Sequence, residues 1–283
     1  MNNASPTSAT AHAPVTRGGA ERWIGLDALR GLAILSMILV NNPGSWDHLY
    51  SPLAHAAWHG WTLTDLVFPF FLFAVGYSMA LALPALRAAG AVIYGTRVLR
   101  RTLAIFAIGL LINASPFLRW DETSQLVLRD FDALRIMGVL QRIAVSFGIA
   151  ALIIWWGDVR AAVAATVALL LGYWWACIAL ATNADAYSLE GFFGTSIDRL
   201  MLGASHLYQG EGVPFDPEGL ASTIPAIAQV LIGYVVGRWL AQRPRVDDLP
   251  WVLIARAVTL FLLAQWWSTV LPINKKIWTT SYV

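Results

Sequence analysis

Hydrophobic residues in this chain fall in long, nearly unbroken runs separated by polar connections. Seven runs cover 24–42, 62–84, 99–114, 136–156, 161–181, 220–240 and 250–272. Crossing a bilayer takes roughly 20 apolar residues. Lipid offers backbone groups no partners, so each run is expected as a transmembrane helix. The third is short, and Arg100 and Arg101 at its start are placed to snorkel to the interface. An eighth run opens at Ile277 and stops at Val283 after about two turns. The pattern predicts an all-α polytopic transmembrane helix bundle, with seven full spans plus the start of an eighth, truncated at the C-terminus.

The connections set the orientation. Residues 1–21 are rich in Ala, Ser, Thr and Pro and lack the apolar core of a secretory signal, so they read as a disordered tail. Residues 22–283 read as one membrane domain. Arg17 and Arg22 in the tail, Arg87, Arg97, Arg100 and Arg101 after the second run, and Arg238, Arg243 and Arg245 after the sixth lie on one side. Positive charge collects in cytoplasmic loops, so this side and the N-terminus are expected in the cytoplasm. Segments 43–61, 115–135 and 182–219 then face outward. The last two carry Asp121, Glu122, Asp130, Asp132, Asp185, Glu190, Asp198, Glu211, Asp216 and Glu218 against four arginines, Arg119, Arg129, Arg135 and Arg199. Within 182–219, Ile197, Leu200, Met201, Ala204 and Tyr208 recur at helical steps, which predicts a short helix lying in the interface.

Composition agrees with the membrane reading. Of 283 residues, 58% are hydrophobic and 13% charged, and the mean hydropathy is +0.60. A soluble domain carries about 25% charged residues, so a single water-soluble core is excluded. The net charge of +2 implies no nucleic-acid partner. Cys177, the lone cysteine, lies within an apolar run and builds neither an intramolecular disulfide nor a cysteine metal site.

Polar groups in or beside the runs are costly there and are the functional candidates. Asp27 and Arg30 share a helical face and can neutralise each other. Asn41 and Asn42 close the first run, where one amide serves as a cap but two need a further reason. Thr62 and Asp65 have the spacing of a capping box. Gln141 and Arg142 lie inside the fourth run, where an arginine requires an anionic partner, and Arg256 and Gln265 pose the same question in the seventh. His48, His55 and His59 crowd one outer loop, and His206 lies in 182–219. They read either as zinc ligands or as one acid–base imidazole among the aromatic residues Trp58 and Trp61. The spacing, with no HExxH, favours the second.

Several segments together resemble a known family. They are Leu26-Asp27-Ala28-Leu29-Arg30-Gly31-Leu32-Ala33-Ile34, Val40-Asn41-Asn42-Pro43-Gly44, His55-Ala56-Ala57-Trp58-His59-Gly60-Trp61-Thr62 and Thr64-Asp65-Leu66-Val67-Phe68-Pro69. With Gly138-Val139-Leu140-Gln141-Arg142, Ile197-Asp198-Arg199, His206-Leu207-Tyr208, Phe215-Asp216-Pro217-Glu218-Gly219 and Pro272-Ile273-Asn274-Lys275, they resemble the heparan-alpha-glucosaminide N-acetyltransferase family in its bacterial branch. The resemblance implies a membrane acetyltransferase that moves acetyl from acetyl-CoA to the amine of a terminal glucosamine. It implies that His55 is the essential histidine, that Asn41 is the family's asparagine after the first helix, and that three or so helices follow Val283.

Acetyl transfer needs a proton acceptor and donors for a developing oxyanion. His55 can supply the first as base or transient acetyl acceptor, Asn41 the second, and Asp65 can orient the imidazole. No G-x-S-x-G elbow is present, which leaves histidine rather than serine or cysteine. Asn42, Asp216, Glu218 and His206 are expected around the amino sugar or glycan acceptor. Arg142, Gln141, Arg100 and Arg101 are expected on acetyl-CoA, its phosphate end near the cytoplasmic arginines. No metal is expected. Membrane lipids are the other partners, a homodimer is compatible, and the expected location is a bacterial inner (plasma) membrane. Competing readings are a sugar transporter or flippase, an O-acyltransferase of a cell-envelope polysaccharide, and a scaffolding subunit.

Overall fold

The computed structural model describes residues 24–45, 48–120, 125–128, 131–242 and 249–283. The tail at 1–21, together with Arg22, Asp121, Glu122, Arg129, Asp130, Arg243 and Arg245, lies outside the described residues. The order of elements is α1 (Ile24–Asn41), α2 (Leu63–Ala88), α3 (Ala91–Ala114), a hairpin of β1 (Leu118–Trp120) and β2 (Leu126–Leu128), α4 (Val139–Ala179), α5 (Phe193–Leu202), α6 (Leu220–Ala241) and α7 (Leu249–Trp267). The chain is a helical membrane protein. Among the described residues five helices, α1, α2, α4, α6 and α7, are long and apolar enough to span a membrane, fewer than the seven expected.

The shortfall has two causes. α3 has the length to cross but carries Arg97, Arg100 and Arg101, too much charge for an apolar span. α4 takes in the fourth and fifth runs together, with non-helical backbone at Gly157 (φ −151°) and Asp158 (φ 53°). A straight helix would separate Arg142 from Tyr173 by about 46 Å at 1.5 Å per residue. Yet the Arg142 guanidinium lies 4.8 Å from the Trp278 ring centre, and the Tyr173 hydroxyl donates to the carbonyl of Ile277. α4 is therefore a helical hairpin whose two arms return to the same end. Tyr234 and Arg238 near the end of α6 hold the reversal through Asp158.

The core lies between α2, the first arm of α4 and α6, where Leu72, Ala150, Val230 and Leu231 are fully buried. Glycines bring α2 and α6 close together. A Cβ on Gly76 would collide with the Val230 carbonyl, and one on Gly233 with the Phe73 carbonyl. Small residues at helix contacts are the usual device in membranes, where there is no hydrophobic drive between helices. α7 buries none of its residues and α1 only Leu26 and Ala33, as suits helices facing lipid.

α5 forms over part of the predicted interfacial helix. Its Leu200 and Met201 are 87% and 68% exposed, while Phe193, Gly194, Thr195 and Asp198 are buried. The Asp198 carboxylate accepts from the N–H groups of Leu220 (2.9 Å) and Ala221 (3.3 Å), so α5 caps α6. A Cβ at position 219 would collide with that carboxylate, which is why glycine stands there.

The start of an eighth helix expected from Ile277 does not form in residues 277–283. Residues 271–283 form turns, through bonds such as Trp278 N to Lys275 O (3.1 Å) and Tyr282 N to Thr279 O (2.9 Å). They are tucked into the bundle: Thr280 donates to the Leu170 carbonyl at 2.9 Å, Tyr282 donates to the Asp65 carbonyl, and Trp278 packs edge-on against Phe68. Asn274, Thr279, Thr280 and Ser281 give this segment internal polar partners that a lipid-facing helix would not need.

Candidate active site

The 271–283 segment returns to the loop that precedes α2. Gly60 N donates to the Ile273 carbonyl at 2.8 Å, and Gly60 and Asn274 form an isolated bridge. This seam brings together residues from opposite ends of the described chain. His55 Nδ1 lies 2.7 Å from Asp65 Oδ1 and 2.8 Å from Lys275 Nζ, while Lys275 Nζ lies 3.1 Å from Asp65 Oδ1.

Asp65 is the fixed point. Its side chain is 1% exposed, against 40% for His55. Its Oδ2 accepts from Ala56 N (3.0 Å), Thr62 N (3.0 Å) and Thr62 Oγ1 (3.1 Å). The capping box predicted from Thr62 and Asp65 is present, and the same carboxylate orients the histidine, so the two readings hold together. Donation from His55 Nδ1 to Asp65 leaves Nε2 with a free lone pair. Burial pushes the Lys275 ammonium below its ordinary pKa, outweighing the nearby Asp65 charge.

The other predicted residues are placed as follows. Asn41 and Asn42 donate one amide hydrogen each to Met37 O (2.9 Å) and Ile38 O (2.8 Å) on their own helix, and both are exposed. Asp216 and Glu218 are met by Arg135, with contacts of 2.8 and 2.6 Å to Asp216 and 2.6 Å to Glu218. Burial would lower the Arg135 pKa, but its hydrogen bond to Asp216 and the charges of Glu218 and Asp216 raise it instead. His206 Nδ1 donates to the Leu134 carbonyl at 2.7 Å, which leaves its Nε2 unused. Arg142 and Gln141 are buried. The Arg142 Nη2 serves Pro217 O and Ser222, while its Nε and Nη1 and the Gln141 Nε2 have no hydrogen-bond partner among the described residues. Arg256 stacks 4.2 Å from the Trp239 ring centre. Among the described residues no group of His, Cys, Asp and Glu is placed to hold a metal.

Arg100 and Arg101 line a cavity of about 520 Å³ with Arg97, Phe147, Met79 and Leu83. The Arg101 guanidinium lies 4.6 Å from the Phe147 ring centre. A cationic rim over an apolar throat fits a molecule with phosphates at one end and an uncharged arm.

The family model "Heparan-alpha-glucosaminide N-acetyltransferase, catalytic" matches residues 22–269, most of the chain. The chain belongs to this family. It is 27% identical to the mouse heparan-alpha-glucosaminide N-acetyltransferase over 342 aligned positions, covering 100% of this chain and 50% of that protein. It is also 27% identical to the human heparan-alpha-glucosaminide N-acetyltransferase, over 93% of this chain and 46% of that protein. The chain spans about half the length of these curated relatives. The match to the family's catalytic model takes in His55, Asp65 and the segments 43–61, 115–135 and 182–219 but stops short of Lys275. Sequence reasoning missed Lys275 as a site residue. A lysine beside Asn274, ahead of an apolar run, was the available signal, but its partner lies 220 positions away.

Proposed function

We propose that this chain is an acetyl-CoA-dependent N-acetyltransferase acting on the amine of a terminal glucosamine or related amino sugar. The observation that carries the reading is the half-exposed imidazole of His55 held by the buried Asp65 carboxylate, with Nε2 left free. In this mechanism Nε2 takes the proton of the attacking amine as the new N–C bond forms. It then returns that proton to the departing thiolate as the C–S bond breaks. Asn41, beside Asn42, supplies the oxyanion donor through the amide hydrogen not spent on Met37.

The cavity at Arg97, Arg100 and Arg101 suits the phosphate end of acetyl-CoA entering from the cytoplasm. The unpartnered donors of Arg142 and Gln141 suit the oxygens of its pantetheine arm. On the acceptor side the reading assigns Glu218, Asp216 and His206, the last through its unused Nε2. The arginine distribution supports an orientation with the arginine cavity and the N-terminus in the cytoplasm and His55 on the far side, and the resemblance to the bacterial branch of the family supports a bacterial inner membrane.

Purified protein given radiolabelled acetyl-CoA and glucosamine is expected to form labelled N-acetylglucosamine, and His55→Ala to lose it. Label kept on His55 with acetyl-CoA alone selects an acetyl-histidine route; turnover without such label selects direct attack. Undiminished turnover in His55→Ala, or sugar uptake without acetylation, overturns the reading.

A further inference from the structure

Two groups of opposite charge meet the His55 imidazole at the same ring nitrogen. Asp65 Oδ1 lies 2.7 Å from Nδ1 and Lys275 Nζ lies 2.8 Å from it, with 3.1 Å between the lysine nitrogen and the carboxylate oxygen. We propose that Lys275 is a positioning residue for acetyl transfer, whose charge keeps a second proton off the imidazole so that His55 meets the acceptor amine as a free base. The proposal rests on the acetyltransferase reading.

Three observations carry it. The first is the double effect of Asp65. Its carboxylate, with a side chain only 1% exposed, orients the ring and also draws a second proton to it. An imidazolium accepts no proton from an amine. Lys275 offsets the second effect and leaves the first, because a second ring proton would set two cations 2.8 Å apart.

The second is that the Lys275 side chain is not needed to hold its own segment. Gly60 N donates to the Ile273 carbonyl at 2.8 Å, Asn274 N donates to Thr279 Oγ1 at 2.9 Å, and Asn274 Oδ1 accepts from Ile277 N at 3.1 Å. Asp65 Oδ2 is likewise fixed by Ala56 and Thr62. The neighbouring Lys276 serves Glu211 instead, at 2.6 Å, with its Nζ 5.7 Å from the Trp58 ring centre.

The third is burial. The Lys275 side chain is 20% exposed, so little water screens its charge from the ring. The other charges acting on it are Asp65 on α2, Glu218 ahead of α6 and Lys276 on its own segment. His59 reaches the segment through the Asn274 amide at 3.4 Å, and the Tyr282 hydroxyl donates to the Asp65 carbonyl. Substituting Lys275 alone leaves all of these groups in place, and the sugar amine titrates alike in every protein compared.

The test measures kcat/KM against pH for labelled acetyl transfer to glucosamine. Lys275→Met removes both charge and hydrogen bond, whereas Lys275→Gln keeps a donor for Asp65 and removes the charge alone. Without the cation the ring holds its second proton to higher pH, so the acidic limb moves up. Both variants are expected to displace it by about one pH unit or more, about tenfold in rate on the limb, and to come within about threefold of wild type on the alkaline plateau. The KM for acetyl-CoA is expected to stay as it was, and Lys276→Met to leave the limb in place. Lys275→Cys treated with bromoethylamine regains an ammonium on a stem of lysine length and is expected to bring the limb back; Cys177, fully buried, is spared. A loss spread evenly over pH, full activity at every pH, an equal displacement in Lys276→Met, or a limb that aminoethylation does not restore overturns the proposal. NMR titration of isotope-labelled histidine in detergent needs no turnover. The His55 resonance, assigned by its loss in His55→Asn, is expected to titrate at higher pH in Lys275→Met and Lys275→Gln than in wild type. That displacement without acetyl transfer keeps the role of Lys275 while the acetyltransferase reading falls; an unmoved midpoint removes the role.

Discussion

Replacing Asp65 by asparagine tests the proposed chemistry with little disturbance to the fold. Oδ2 of Asp65 is fixed by two backbone N–H donors, from Ala56 and Thr62, and by the Thr62 hydroxyl. Those donors demand an oxygen, so the amide of Asp65→Asn must place its carbonyl there. Its NH2 then takes the place of Oδ1, facing His55 Nδ1 and Lys275 Nζ, now 2.7 and 3.1 Å from that oxygen. A donor at that position makes Nδ1 an acceptor and moves the imidazole proton to Nε2, the atom required as base. A tautomer set the wrong way costs a histidine base on the order of 10⁴-fold in turnover. The helix cap keeps its acceptor, so stability is expected to change by no more than about 1 kcal/mol. Asp65→Ala differs, since it strands buried donors at about 1–3 kcal/mol each. The assay pairs labelled acetyl transfer to glucosamine with thermal melting in the same detergent. An Asp65→Asn protein with an unchanged melting temperature and more than a tenth of wild-type turnover would refute the assignment of Nε2 as base.

Other predictions follow from the ion pairs and the cavity. Arg100→Gln and Arg101→Gln should each raise the KM for acetyl-CoA about tenfold, near ~1.4 kcal/mol, with kcat retained; a fall in kcat at constant KM counts against the phosphate assignment. Arg135→Leu leaves Asp216 and Glu218 without their cation and should cost about 3–5 kcal/mol in denaturant unfolding, whereas a neutral effect would show the pairs to be incidental. Burial pushes Asp198 up to about 6, despite its hydrogen bonds from Ala221 and Leu220. A carboxyl raised on folding adds stability below its ordinary pKa near 3.8 and loses it as pH rises through 6, about 3 kcal/mol in all. Asp198→Asn keeps the acceptor for α6 and should flatten that slope in melting measured from pH 4 to 7; an unchanged slope would place its origin elsewhere.

The sequence made the membrane helices legible because length and apolarity are local properties. Even the fold-back inside α4 was visible, as the break between the runs at 136–156 and 161–181, although the two arms join through only Gly157 and Asp158. Residues 271–283 were misread for a physical reason: over seven residues an apolar run is the same whether it meets lipid or a protein core. Their buried Asn274, Thr279 and Ser281 pointed to a core. At the site, His55 and the Thr62–Asp65 box were local and readable. Lys275, by contrast, joins them only through tertiary structure, and Arg135 claims Asp216 from 81 positions away. Charge count alone could not tell a solvated acid from a paired one.

The Gly60–Asn274 seam ties the order of membrane insertion to the birth of the site. Until α7 has entered the bilayer and the segment behind it has doubled back, His55 and Asp65 sit without Lys275. A nascent chain caught with its early helices inserted therefore carries the imidazole but not its finished surroundings. On the proposed chemistry the site is finished only when this seam closes, and a protein cut between α6 and α7 should recover activity only if the two pieces find each other in the same membrane.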